Sequence, residues 1–261
     1  MTNEALLLIG RNAPHAREVY EIHANRLRNR ASIGEVHVAT YENEPIRELR
    51  ETFVEIESDR VYAVPMTTAH TYDTTDEVPA ALSYVPGEVR YCEPVGQSPA
   101  VTDVLTQRAS EVLRASDDAS LVLVGFGSSS KPYQRQTAEY HAARLSDQSD
   151  YGEVLTCYLL QNPTVECVRY NTSNSRTVAV PLFLTQSEAT EEEIPTKLEL
   201  ARGGIEYADP LGDHTRVTDA IHAEVEKQRV LASSGDGPTS FETQLTQNHR
   251  PVATDGEGVR R

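Results

Sequence analysis

A chain of 261 residues with 40 acidic and 24 basic side chains has a formal net charge of -16, and no basic stripe exists to neutralise phosphates, which excludes nucleic acid as a partner. No apolar run approaches the roughly 18 residues needed to span a bilayer, and the Met1-Thr2-Asn3-Glu4 start lacks the basic opening of a signal peptide. The expectation is a cytoplasmic protein with no membrane association. Lysine occurs only at Lys131, Lys197 and Lys227, and an acidic, lysine-poor surface suits a halophilic cytoplasm, where the Debye length falls to about 3 Å and self-repulsion is screened.

The first predicted element is the apolar run Leu6-Leu7-Leu8-Ile9-Gly10, which reads as a strand buried on both faces. A helix follows with apolar positions Val19, Ile22 and Leu27, then a strand over 34–41 and a helix whose first turn is opened by Pro45. A third strand spans 60–65. After an irregular segment come a helix over 77–82, a fourth strand over 89–92, a turn with Pro and Gly, and a closing helix. Strands alternating with helices at this spacing imply a parallel sheet covered on both faces, with ligands at the carboxyl ends of its strands.

The same series then repeats. Leu6-Leu7-Leu8-Ile9-Gly10 returns as Leu121-Val122-Leu123-Val124-Gly125, and Glu21-Ile22-His23 as Glu139-Tyr140-His141. Val61-Tyr62-Ala63-Val64-Pro65 returns as Thr177-Val178-Ala179-Val180-Pro181, Glu77-Val78-Pro79 as Glu193-Ile194-Pro195, and Glu93-Pro94-Val95-Gly96 as Asp209-Pro210-Leu211-Gly212. The offset stays between 115 and 118 throughout, so the chain is a tandem duplication. The expected division is 1–116, 117–231, and a polar tail over 232–261 with no periodic apolar positions, expected to be disordered. Cys92, Cys157 and Cys167 show no C-x-x-C spacing and are odd in number, and they are expected to be small buried hydrophobes rather than disulfide partners.

These segments resemble the CbiX-type sirohydrochlorin cobaltochelatases of the class II tetrapyrrole chelatase family. The likeness rests on the Glu-x-His stretch of the first helix, Pro181-Leu182-Phe183 after the third strand, and the Glu93-Pro94-Val95-Gly96 motif with its counterpart in the second copy. It implies an α/β fold of two tandem chelatase-like domains, each a parallel sheet with helices on both faces, related by a pseudo-twofold with a cleft between them. It also implies insertion of a divalent metal, cobalt first and nickel or iron as alternatives, into a sirohydrochlorin-type tetrapyrrole. No permanently bound cofactor is implied, nor any ATP use, since no G-x-x-x-x-G-K-[ST] loop is present. A duplicated chain of this kind is expected to work as a monomer or weak oligomer.

The family places one histidine after the first strand and one in the loop after the third. Here Arg11 and Phe126 stand at the first position, and Asp73 and Ala189 at the second. Copy two therefore lacks both, and copy one is the expected active copy. Copy one keeps His70 in the loop Thr68-Ala69-His70-Thr71-Tyr72-Asp73, near Asp76 and Glu77. One imidazole among carboxylates can hold a divalent ion and pass protons, which makes His70 and Asp73 the expected metal ligands and His70, Asp73 and Glu77 the expected catalytic groups. The alternative is that Asp73, Thr74 or Thr75 caps the next helix. Arg11, Asn12 and His15 are the expected substrate-binding residues. Arg11 has two readings, a clamp on a substrate carboxylate or an ion pair with Asp73 that closes the site. His23 and His141 are expected to pack helices through a hydrogen bond. A second functional reading is a degenerate paralogue that binds tetrapyrrole or metal without inserting it, or serves as a partner subunit.

Overall fold

Continuous apolar runs set the centre of each copy. In the computed structural model, which describes residues 3–30 and 34–233, Leu6, Leu7, Leu8 and Ile9 are all buried in strand β1 (Glu4–Arg11). Burial of such side chains stabilises by about 1.5–3 kcal/mol each. Copy one continues with β2 (Glu35–Tyr41), β3 (Arg60–Pro65) and β4 (Glu88–Tyr91). Copy two has β5 (Ala119–Gly125), β6 (Glu153–Tyr158), β7 (Arg176–Pro181) and β8 (Ile205–Tyr207). The described strands form two parallel sheets with the same order, β2-β1-β3-β4 and β6-β5-β7-β8.

The helices are α1 (Ala16–Arg28), α2 (Pro45–Glu48), α3 (Arg50–Val54), α4 (Val78–Leu82), α5 (Pro99–Val112), α6 (Tyr133–Gln148), α7 (Val168–Asn171), α8 (Ile194–Lys197) and α9 (Thr215–Ser233). Alternate residues of each central strand enter different cores, as the two-residue period of a strand requires. Leu6 and Leu8 join Leu121 and Leu123 in one large core, with α1, α5, α6 and α9 between the two sheets. Leu7 and Ile9 face outward onto Leu49, Phe53 and Leu82. Val122 and Val124 do the same in copy two, against Val165, Val168 and Ile194.

The last helix of each copy packs across onto the other copy's sheet. Helix α5 lies on β7, and α9 lies on β3. Arg229 near the end of α9 reaches Glu4 of β1 at 2.8 Å and sits over the Tyr62 ring. Two buried histidines mark the same reciprocity. His23 Nε2 donates to the Gly212 carbonyl at 3.1 Å and its Nδ1 receives the Thr218 hydroxyl at 2.8 Å. His141 Nε2 donates to the Gly96 carbonyl at 2.7 Å, and its Nδ1 receives the Thr102 hydroxyl at 2.9 Å. Each copy thus offers a helix-one histidine and a Gly–Thr pair to its counterpart, which is the signature of a pseudo-twofold axis.

Some expectations need adjusting. The helix expected over 77–82 is preceded by one π-helical turn (Asp73–Glu77), and that expected over 193–200 by another (Ala189–Glu193) before the short α8. Cys92 and Cys157 are buried, but Cys167 is exposed beside Thr164 rather than buried. Helix α9 runs to Ser233, two residues into the expected tail, and the remainder of that tail lies outside the described residues. Among the described residues, no helix is long and apolar enough to cross a membrane.

Gly96 shows why glycine ends the fourth-strand motif. A Cβ there would lie 2.1 Å from Thr68 Cα and 2.3 Å from Thr68 O, both backbone atoms of the loop that carries His70. The Gly96 amide also donates to Thr67 O at 3.1 Å. Gly96→Ala is expected to cost about 3 kcal/mol by overpacking, which lowers the melting temperature by about 6–12 °C in a chain of this size. Thermal unfolding in molar KCl measures it, and an unchanged melting temperature would contradict the close approach.

Candidate active site

The loop that follows β3 and carries His70 is approached by residues of copy two. The loop after β5 supplies Lys131, whose Nζ reaches Thr75 Oγ1 at 2.9 Å and Asp76 Oδ2 at 3.2 Å on the copy-one π-turn, and lies 5.4 Å from the Tyr72 ring centre. Tyr133, at the start of α6, meets the His70 ring edge-on at 5.7 Å. From α9, Glu224 accepts the Glu93 amide at 3.2 Å, with Lys227 on Glu224 at 3.0 Å. Two of the chain's three lysines therefore stand beside the copy-one loop.

His70 is only 15% exposed and sits between two partners. Its Nε2 lies 3.1 Å from Glu93 Oε2, and its Nδ1 lies 3.3 Å from Thr74 Oγ1. The hydrogen bond from His70 is the main reason that the Glu93 carboxyl is held below its ordinary range. A carboxylate can only accept, so Nε2 donates to Glu93 and the Nδ1 of the neutral ring carries the lone pair. That lone pair faces the Thr74 hydroxyl at 3.3 Å, which also lies 3.2 Å from Thr71 O and so has two acceptors to choose between.

Asp73 does not cap the following helix. Its Oδ2 accepts from Arg11 Nη2 at 3.0 Å, and of the two readings of Arg11 the ion pair is the one present. Tyr41 lies against the same carboxylate, and burial, then the charge of Asp73, pushes its hydroxyl up. The two positions where the family carries histidine are thus filled in copy one by a guanidinium–carboxylate pair. Asp73 and His70 look in different directions: Asp73 towards β1, His70 towards β4. Among the described residues, no group of three or more His, Cys, Asp or Glu side chains is placed to hold a metal.

The remaining expected residues are dispersed. Glu77 lines a groove of about 450 Å³ with Arg47, Arg50, Ile46 and Tyr84, where the Arg50 guanidinium lies 4.8 Å over the Tyr84 ring. Asn12 donates to Glu42 at 3.3 Å. His15 is exposed, in left-handed backbone at the start of α1, and 3.5 Å from Glu18.

Copy two preserves the scaffold of this turn without its chemistry. Ser187 N donates to Thr190 Oγ1 at 2.9 Å, as Thr71 N does to Thr74 Oγ1 at 2.8 Å. Tyr207 reaches Thr190 O as Tyr91 reaches Thr74 O. Register places Gln186 where His70 stands. Sequence reasoning did not find the partnership of His70 with Glu93, nor the contributions of Lys131, Tyr133 and Glu224. The available signal was Glu93 itself, which shares a motif position with Asp209 in the copy whose matching loop position is Gln186.

Comparison with known proteins bears on the whole chain. The CbiX family model matches residues 5–112 and again residues 120–228. A probable sirohydrochlorin cobaltochelatase of Halobacterium salinarum is 28% identical over 222 residues, covering 74% of this chain and 75% of the relative. SirB from Bacillus subtilis, solved with Fe3+, has the same fold with a TM-score of 0.74 at 19% identity, over 92% of this chain and 99% of SirB. A multi-domain Deinococcus radiodurans protein, described as structurally similar to chelatases and carrying two additional domains, gives 0.70 at 19% identity over 88% of this chain. This chain spans 56% of that protein's length. With two successive matches laid over two copies of one strand order, the chain belongs to the CbiX family and carries one family unit in each half.

Proposed function

We propose that the chain inserts a divalent first-row metal, cobalt first, into a sirohydrochlorin-type tetrapyrrole, with His70 as the group that receives metal and ring protons. The observation that carries this reading is the His70–Glu93 pair, with Nε2 bonded to a carboxylate and Nδ1 facing only the Thr74 hydroxyl, which an incoming metal or proton would displace. Insertion exchanges one divalent ion for two ring N–H protons. An imidazole serves both halves of that exchange, because it ligates cobalt, nickel and iron and accepts a proton near neutrality. Glu93 stabilises the imidazolium that forms, as a carboxylate behind a catalytic histidine does. Asp73 and Glu77 remain second proton acceptors, Asp73 once Arg11 releases it. Arg11, Lys131 and Lys227 at the opening, with Asn12 and His15 on its copy-one rim, are suited to a substrate whose rim is covered in carboxylates.

Cobalt is put first because the Halobacterium salinarum relative is named for it; SirB was solved with Fe3+ and also in complex with cobalt, so it does not separate the two metals. The test is insertion into sirohydrochlorin followed by visible absorbance in molar KCl, with Co2+, Ni2+ and anaerobic Fe2+ in parallel. Insertion clearly faster than in buffer supports the proposal, and the fastest ion identifies the metal. The Arg11–Asp73 pair favours a second reading, a member that binds tetrapyrrole without turnover. Rates equal to buffer with all three ions, alongside a normal tetrapyrrole titration, would establish that reading instead.

A further inference from the structure

We infer that the strand ends of copy two form an aromatic platform on which the face of a conjugated macrocycle stacks, with Phe126 at its centre. This rests on the tetrapyrrole reading above and assigns the copy without site histidines a binding role of its own.

Phe126 immediately follows β5, Phe183 follows β7 by two residues, and Leu160 follows β6 by two. The sheet order β6-β5-β7 puts these three side by side along one sheet edge. The Phe126 and Phe183 rings meet edge-to-face at 6.3 Å and 75°. Phe126 is 42% exposed and Leu160 is 56% exposed. The chain has only four phenylalanines, so two of them sharing an open edge is a marked concentration of apolar surface. By register, the matching positions of copy one are Arg11, Thr67 and Glu42. One wall of the cleft therefore ends in charged and polar groups, and the other in two rings and a leucine.

The platform is held in place before any ligand arrives. Gly127 turns the chain at a φ of 80°, and a Cβ there would come 2.9 Å from Tyr158 Cβ. Ser128 N donates to Gln161 Oε1 at 2.9 Å, and Leu160 N donates to Phe126 O at 2.9 Å. Five residues after Phe126, Lys131 is bonded to the copy-one π-turn, so the loop that begins at the platform ends on the loop that carries His70. A flat conjugated ring with a carboxylate rim matches this division: its face meets Phe126 and Phe183, and its rim meets the cations opposite.

The experiment is a titration of the full chain with metal-free sirohydrochlorin in molar KCl, followed by visible absorbance. The variants are Phe126→Ala and Phe126→Trp. Phe126→Ala is expected to weaken binding about tenfold, whereas Phe126→Trp stays within about threefold of wild type. Phe126 lies outside the buried cores and is 42% exposed, so both variants are expected to fold, and thermal unfolding checks it. If insertion occurs, Phe126→Ala should raise KM and leave kcat near wild type. Alanine binding as tightly as wild type overturns the platform. Wild type that binds, alanine that binds weakly, and no insertion by either would retain the platform and reject the insertion chemistry. Wild type that gives no titration at all rejects both.

Discussion

Replacing His70 by alanine is expected to reduce insertion by a factor of about 10² to 10⁴, the range that a single well-placed proton acceptor contributes. The basis is that His70 is the one imidazole of the copy-one loop, has an Nδ1 held only by the Thr74 hydroxyl, and is backed by a carboxylate whose ionised form it stabilises. Glu93→Gln removes the support and keeps the imidazole, and the loss should be smaller, about 10- to 100-fold, as for other groups that orient a ligand from behind. Steady-state rates with cobalt measure both. The double variant should be no slower than His70→Ala alone, because Glu93 acts through the histidine. If His70→Ala keeps the wild-type rate, the proton and metal groups lie elsewhere, and the Arg11–Asp73 pair becomes the first place to look. His70 is only 15% exposed, so melting temperatures are measured alongside and the rates compared where all the variants are folded, which lets the rate effect be assigned to chemistry.

Stability is expected to fall steeply between pH 6.5 and 5, owing to His23 and His141. Burial lowers each imidazole to about 4 in the folded chain, against about 6.5 when unfolded. A histidine kept neutral by folding contributes stability that is fully present above the unfolded value and is lost as pH falls towards the folded one. At pH 5 the unfolded chain is protonated at both sites and the folded chain at almost neither. The difference amounts to about 2 kcal/mol for each, or about 4 kcal/mol together. Protonation would also put a hydrogen on Nδ1, facing the hydroxyl that now donates to it. Melting temperature against pH in molar KCl reads this, because salt screens the exposed carboxylates and most of those titrate lower. The variant His23→Asn/His141→Asn should be less stable at pH 7.5 and show a flattened profile between pH 6.5 and 5. A wild-type profile that is flat over that interval would mean that the two imidazoles are not the neutral groups described.

The fold was legible because its signals are local and came twice. Leu6 to Ile9 and Leu121 to Val124 are continuous apolar runs, and the 115–118 offset tied each later element to its counterpart. The π-turns over Asp73–Glu77 and Ala189–Glu193 were not legible, because no residue pattern separates one wide turn from the start of an α-helix. The site was legible in part. His70 is conspicuous as an imidazole among carboxylates, and residues of copy two do reach its loop. Its link to Glu93 spans 23 residues, and the neighbours from copy two, Lys131, Tyr133 and Glu224, come from elements far along the chain. The choice between the two readings of Arg11 likewise depended on where Asp73 points, a matter of backbone path and not of composition. The roles of His23 and His141 in helix packing were anticipated in kind, but their partners were not, since His23 and Thr218 are 195 residues apart.

That separation has a consequence for synthesis. The helix that covers β3 of copy one, α9, begins at Thr215. At about 5–20 residues per second on the ribosome, the completed first half waits about 5–20 s before the residues that seal His23 have been made. Throughout that interval Leu6, Leu8 and Tyr62 lack the part of their inner cover that α9 supplies. Early elements can build sheet β2-β1-β3-β4, its outer helices and α1, but the inner layer stays incomplete. The nascent chain is therefore a client for whatever shields apolar surface in the cell, and release of α9 rather than completion of the first sheet sets the moment when the molecule becomes safe from aggregation.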